Sequence, residues 1–566
     1  MTACSRIRQP PNLEEELPQL PSLASAVIVC QYASQQQIGA LPHVVQRISD
    51  FIDYAIPSHW TIPRACEANH FYLLRRLAAR ESESSESTDR HYKGFQFSQA
   101  LVFAVRNDNL EMVKWLCSEY CPTGFATKAM LEAVKLGNLC LVEWLFGNCD
   151  PLMPSRMFLD DAAACGHLDV LKWLQANTDS SRSLGAGIRD AARNGHLHVV
   201  EWLFDTKDGD WNDDALEGAI VGGHLEIVCF LVQHGCKLSK GANATDLAAK
   251  SGNLDLLKWI YASSLRGCTS RALDEAALRG RLDIVKWLHE TYAEDSSVDA
   301  MTFAARNGHL EVVQWLHENH TAGSTKFAMN YAASQGHLDV VQWLHQLRNE
   351  GCTAAAMDFA AENGHLHVVQ WLHTNRNEGC TASAMDKAAE NGHLHVVKWL
   401  HENRREGCTT WAMNNAAQNG HLEVIKWLHE CRNEGCTVSA MNNAAYCNHF
   451  DVVQWLHENR SEGCTTEAMD YAGSVAITKF LHENRSEGCT MRAMESAVYD
   501  NDFDRVLYLH RNRATGCSAQ AFFFALDRHH FDVFLWLCKQ HADEVNLVDI
   551  RRLYRHLGPL LDRIGS

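Results

Sequence analysis

The chain has 566 residues, 46% of them apolar and 21% charged, the balance of a folded soluble protein rather than a disordered one. Its net charge is −18, with Asp and Glu spread over most of its length. That excludes an overall basic surface of the kind that replaces counterions on phosphates, so no nucleic-acid partner is expected.

Residues 1–37 read as a flexible lead, with Pro10, Pro11, Pro18 and Pro21 around a short acidic run. The first apolar run, Leu23 to Ala33, follows Glu14, Glu15 and Glu16 rather than a basic segment, which is not the pattern of a secretory signal. At about 11 residues it is also too short to span a bilayer. The expected setting is intracellular, cytoplasmic or nuclear, with no membrane contact. Residues 38–80 are expected to hold an N-terminal helix, with Val44, Val45, Ile48, Phe51 and Ile52 at helical spacing, and then a degenerate capping repeat. "ESESSESTD" opens an acidic and polar loop over 81–95. A repeat array occupies 96–540, and a capping helix is expected over 541–566.

Inside the array, "FAAENGHLHVVQWLHTNRNEGCT" (359–381) returns as "KAAENGHLHVVKWLHENRREGCT" (387–409) and as "NAAQNGHLEVIKWLHECRNEGCT" (415–437). The first apolar residue after each turn marks 16 copies, from Leu110 to Phe531, at steps of mostly 28 or 29 residues. Such a period belongs to solenoids. Each copy predicts two helices. Thr381 is placed to cap the first, and "ASAMDKAAE" carries Ala384, Met385, Ala388 and Ala389 on one stripe. Gly392 supplies a left-handed break. The second helix starts near Leu394 and gathers Val396, Val397, Trp399 and Leu400 on one face. A lone copy buries too little apolar surface to offset the entropy of ordering it, so its neighbours must support it. An elongated superhelix is the expected shape, and a monomer the expected state.

Tryptophan holds one phase in 13 copies, from Trp115 to Trp536. It shares its helix face with Val and Leu, which marks packing rather than a ligand platform. Cys268, Cys352, Cys380, Cys408, Cys436, Cys464, Cys489 and Cys517 also share a phase. Stacked helices lie about 8–10 Å apart, whereas disulfide Cα atoms lie within roughly 7 Å. These cysteines are therefore read as small buried groups in a reducing compartment.

The second half of each copy, for example "NGHLEVVQWL" (307–316) or "GGHLEIVCFLVQHGC" (222–236), resembles the turn and second helix of an ankyrin repeat. The resemblance covers roughly residues 60–540 and is nearest to the short-repeat ankyrin arrays of oomycetes. It implies an all-α solenoid of helix-turn-helix repeats that binds proteins as a non-enzymatic scaffold or adaptor. The usual unit is about 33 residues with a TPLH-type opening. Here the opening is "TxxAM" and about five residues are missing where the family projects its β-hairpin fingers, so short or absent fingers are expected.

Two histidine ladders, one in the turn (His196, His224, His309, His337, His365, His393, His421, His449) and one after Trp-Leu (His289 to His510), place one ring per layer. That spacing does not converge on a metal ion. The resemblance gives the turn histidine a structural role, and acid is expected to loosen the array. No Gly-rich phosphate loop, HExxH or nucleophile elbow is present, so no catalytic residue, cofactor or metal is expected. Candidate partner-binding positions are those that change between copies, two and six residues after the capping Thr. The first set contains Arg271, Asp299, Phe327, Trp411, Glu467 and Arg492, and the second Glu275, Phe303, Tyr331, Phe359, Lys387 and Tyr471. In ankyrin arrays the first helix lines the concave face, which would give these a shared strip. One copy, "DYAGSVAITKFLHENR" (470–485), lacks three residues at its turn, and a bend or mobile point near Gly473 to Val475 is expected there. "LPHVVQRISDFID" (41–53) faintly resembles the first helix of an F-box, which gives the alternative of a ubiquitin-ligase substrate receptor.

Overall fold

Thr381 shows how a copy begins. Its Oγ1 accepts the Ser383 N–H at 3.1 Å and caps the helix Ala382–Glu390. Its own N–H and hydroxyl donate to the Asp358 carboxylate of the preceding copy, at 2.7 and 2.8 Å. Ala384, Met385, Ala388 and Ala389 are buried. Gly392 ends the helix at φ +77°, and a Cβ there would lie 2.6 Å from the His421 ring of the following copy. Backbone conformation and close approach thus both require glycine. The second helix, Leu394–Asn403, buries Val396, Val397 and Leu400.

The computed structural model describes residues 60–541, except 84–89, 123, 150–154, 179–184, 207–213, 264, 266, 293–297, 320–325, 348–350 and 513–515, together with residues 544, 550 and 554. The expected lead, first helix and F-box-like stretch lie outside the described residues, as does most of the expected C-terminal capping helix. Helix pairs follow one another from Ile62–Glu67 and Phe71–Glu83 to Ala519–Asp527 and Phe531–Gln540, with no strand among the described residues. The fold is an all-α solenoid. The loop expected over 81–95 is narrower, because one helix runs to Glu83 and the next begins at Arg90.

First helices lie close to one another, with alanines at their contacts, whereas second helices touch less and carry Trp between them. A stack that is tighter in one layer curves toward that layer, so the first helices line its inner face. The curve closes on itself, in place of the open superhelix expected. Helix Arg90–Arg106, 17 residues long where most others have nine or ten, receives the turns of the last copies. Phe503 packs against Tyr92 and Phe95 at ring separations of 5.8 and 5.6 Å, and Phe531 against Phe125 at 5.5 Å. The Ser98 hydroxyl donates to Asp532 Oδ2 at 3.2 Å. A Cβ on Gly94 would lie 2.3 Å from Asp532 Oδ1, so this mid-helix glycine is a close-approach site.

The copy with the missing residues is repaired by its neighbours. Its first helix shrinks to Glu467–Asp470. The Gly473 N–H, which would serve the Met469 carbonyl in a full helix, donates instead to Ala445 O of the preceding copy at 2.8 Å. The orphaned carbonyls of Met469 and Asp470 are taken by Arg505 Nη2, at 3.2 and 2.7 Å. Arg505 is fully buried and stands where the other copies have an apolar residue, most often Val, in the second helix. The turn near Gly473 is therefore pinned on both sides. The apolar core does divide nearby, one cluster reaching Leu481 and a second joining the residues from Ala493 onward to Phe95 and Phe125.

Replacing Arg505 by Met keeps the volume and strands the two carbonyls. Hydrogen exchange of Val475–Asn484 should show its opening free energy reduced by about 2–4 kcal/mol, and an unchanged value would refute the repair. Gly94→Leu introduces a better helix former at a site with no room for it. Small-angle scattering should show a larger radius of gyration at unchanged helicity. An unchanged radius would mean that the ends are not held together there.

Candidate partner-binding face

The first helix reaches the inner face at three positions, not two. The sequence reading named residues two and six after the capping Thr; the structure adds the residue nine after it, three further along the same helical face. That residue meets position six of the next copy in several copies of the second half of the array. Arg306 places its guanidinium 5.7 Å from the Tyr331 ring centre. Glu390 accepts from Asn415 Nδ2 at 2.7 Å, and Gln418 from Asn443 Nδ2 at 3.1 Å. Tyr446 meets Tyr471 at 6.5 Å, and Tyr499 meets Phe524 at 5.3 Å. The signal was present as helical periodicity, but the pairing crosses copies and is invisible within one.

The expected residues separate accordingly. Phe327, Tyr331 and Phe359 form a column, with ring separations of 6.3 and 6.5 Å and the last two planes nearly parallel. Phe327 is 51% exposed at its open end, while Tyr331, Phe359 and Phe303 are half-buried. The Trp411 side chain is 65% exposed, and the backbone N–H of this residue donates to the capping Thr409 hydroxyl at 3.2 Å. Lys387 pairs with Glu390 at 2.9 Å. Arg492 reaches Tyr471 Oη at 3.4 Å, forming a second cluster with Tyr446, which is 64% exposed. Glu467 accepts from Asn442 Nδ2 at 3.2 Å. Arg271 and Asp299 are exposed, and Glu275 pairs with Arg279 at 3.7 Å, away from both clusters. Position six is largely engaged in packing between copies, whereas position two includes Trp411 and Phe327, aromatic side chains left more than half exposed.

The histidine ladders join consecutive copies. In the turn, Nε2 of His167, His224, His309 and His530 lies 2.9, 3.1, 3.2 and 3.3 Å from a backbone carbonyl of the preceding turn. A neutral ring with its proton on Nε2 donates this bond. Burial, joined by neighbouring imidazoles, holds His196, His365, His393 and His421 below the ordinary histidine value. His530, buried beside Lys128, Arg528 and His529 at the closure, is lowered to about 3. The second ladder sets each ring edge-on to the aromatic ring of the next copy, as His373 does to Trp399 at 5.2 Å and His457 to Phe480 at 5.5 Å. Among the described residues no three His, Cys, Asp or Glu side chains stand close enough to hold a metal, and no helix is long and apolar enough to cross a membrane.

The family model described as "Ankyrin repeats (3 copies)" matches residues 159–242, 188–274, 273–352, 301–386, 329–411 and 385–470. No curated protein matches the chain. Among solved structures the chain is similar to the crystal structure of the pentatricopeptide repeat protein PPR10 from maize. That match has 10% identity and a TM-score of 0.28, and covers 91% of this chain and 82% of that one.

The depressed histidines set a pH dependence. Above about pH 6.5 these rings are neutral in both the folded and unfolded chain, and the stability they allow is complete. Below it the unfolded chain takes up protons that the folded turns resist, so stability falls as pH drops from 6.5 toward the lowered folded values. The melting temperature should fall between pH 7.5 and 5.5, and less so in a His365→Gln, His393→Gln, His421→Gln variant. Equal melting at both pH values would count against the linkage.

Proposed function

Because the chain belongs to the ankyrin repeat family, we propose that it is a non-enzymatic scaffold or adaptor whose partner proteins seat on the inner, first-helix face. The observation that carries this reading is Trp411, a large apolar side chain left 65% exposed on a helix whose other apolar groups are buried. Phe327, three copies away, is presented in the same way. Aromatic and Arg side chains are the residues on which interface energy concentrates. The Phe327–Tyr331–Phe359 column lies on copies before Trp411 and the Tyr446–Tyr471–Arg492 cluster on copies after it, so a partner crossing several copies would meet aromatic anchors at intervals.

The reading is tested by affinity capture from cell lysate with the full chain, followed by measurement of a captured partner's affinity. Trp411→Ala and Phe327→Ala remove exposed groups and should leave melting unchanged. Each should weaken binding about thirtyfold, the equivalent of roughly 2 kcal/mol for an interface anchor. A partner whose affinity neither substitution changes binds elsewhere, and the inner-face assignment fails.

A further inference from the structure

The end of each second helix meets the next copy through two fixed positions. They are the residue two after the Trp and the residue five after the following Trp. In the regular copies these are His and Arg: Arg376 Nη1 lies 3.2 Å from His345 Nδ1, Arg404 3.4 Å from His373, Arg432 3.3 Å from His401, and Arg460 3.2 Å from His429. Near the N-terminal end the same positions hold Cys117, two after Trp115, and Cys149, five after Trp144. Their sulfurs are 3.7 Å apart, and both side chains are partly accessible. The helix carrying Cys117 winds as a π-helix over Leu116–Tyr120.

We propose that Cys117 and Cys149 are an oxidisable dithiol that a hydroperoxide closes to a disulfide and thiol reductants reopen, stapling two neighbouring copies at the N-terminal end of the array. The four His–Arg pairs act as an internal control, because one backbone geometry brings a pair of side chains together in each. Closing the bond requires the sulfurs to approach from 3.7 Å to about 2.05 Å. Cys149 has the freedom for this, since it lies just past its helix with extended backbone, φ −125° and ψ 145°.

The two thiols differ from the cysteines in repeat phase. Burial pushes Cys352, Cys380, Cys408, Cys436 and Cys464 up to about 11, which keeps them as unreactive thiols. Cys149 moves the other way: the hydrogen bond with Cys117 favours its thiolate, and the same bond together with burial holds Cys117 protonated. With hydrogen peroxide the Cys149 thiolate attacks the O–O bond. An S–O bond forms, and the departing hydroxide takes a proton to become water. Cys117 then attacks the sulfenic sulfur and loses its proton, the S–S bond forms, and the S–O bond breaks to release a second water. Two thiols and one peroxide give one disulfide and two waters.

The test uses the full reduced chain, treated natively with stoichiometric hydrogen peroxide, alkylated, and digested with trypsin. Cys117 lies in the peptide 115–128 and Cys149 in 136–156. Mass spectrometry should find these two linked through Cys117 and Cys149, at least tenfold above any other cysteine pair. The link should disappear on reduction, persist in Cys121→Ser, and be absent in Cys149→Ser. In Cys117→Ser, Cys149 should be trapped by dimedone as the sulfenic acid. A link through Cys121 or Cys140, uniform oxidation of all cysteines, or no link at all would each overturn the proposal.

Discussion

The close approach of alanine-faced first helices is the constraint on which this molecule depends. Ala388 and Ala389 are fully buried, as are their counterparts in the neighbouring copies. With only a methyl group between backbones, the inner layer packs at short range, while Trp and His hold the outer layer further apart. Curvature follows from that difference in side-chain size between the two layers. It does not need β-hairpin fingers, and the described residues contain none.

Polar groups set the register that the alanines leave open, since a smooth methyl surface permits sliding. An Asp or Asn of the first helix, 23 residues before the next copy's capping Thr, takes that Thr's N–H and exchanges a second bond with its hydroxyl. Asp246–Thr269, Asp386–Thr409, Asn414–Thr437 and Asn442–Thr465 all do this. Asp and Asn are interchangeable because a carboxylate accepts the hydroxyl proton, whereas an amide accepts the N–H and donates to the hydroxyl oxygen. The shortened copy keeps the link: Asp470 still receives Thr490, at 2.6 and 2.9 Å, with three fewer residues between them. That bond and Arg505 together carry the stack across a helix of a single turn.

What was legible in the sequence was whatever recurs within a copy. Thr caps, the turn glycine, the two helices and their buried faces are local patterns, and repetition makes each one plain. Contacts between copies were less legible, because a pair such as Gln418 and Asn443 joins two positions that each look free when copies are compared column by column. Single departures carried the rest. Arg505 in an apolar column, and Cys117 with Cys149 where the regular copies have His and Arg, are visible as mismatches, but their meaning depends on which atoms face them. The closure was not legible at all. Ser98 and Asp532 are separated by 434 residues, and nothing in either segment names the other. In hindsight, the helix Arg90–Arg106 is apolar around much of its circumference, a sign that it is covered on more than one side.

Closure changes what repetition permits. An open stack tolerates gain or loss of a copy, because each copy needs only its two neighbours. A stack whose ends meet has a fixed length, since adding one copy would carry Phe503 and Phe531 past the aromatic groups that receive them. The three-residue deletion respects this limit: it shortens one first helix and its turn but keeps the copy. Drift in sequence is then tolerated on the inner face, where it alters what the array presents. It is confined at the two ends, where Gly94, Ser98 and Asp532 must keep their shapes for the ends to meet.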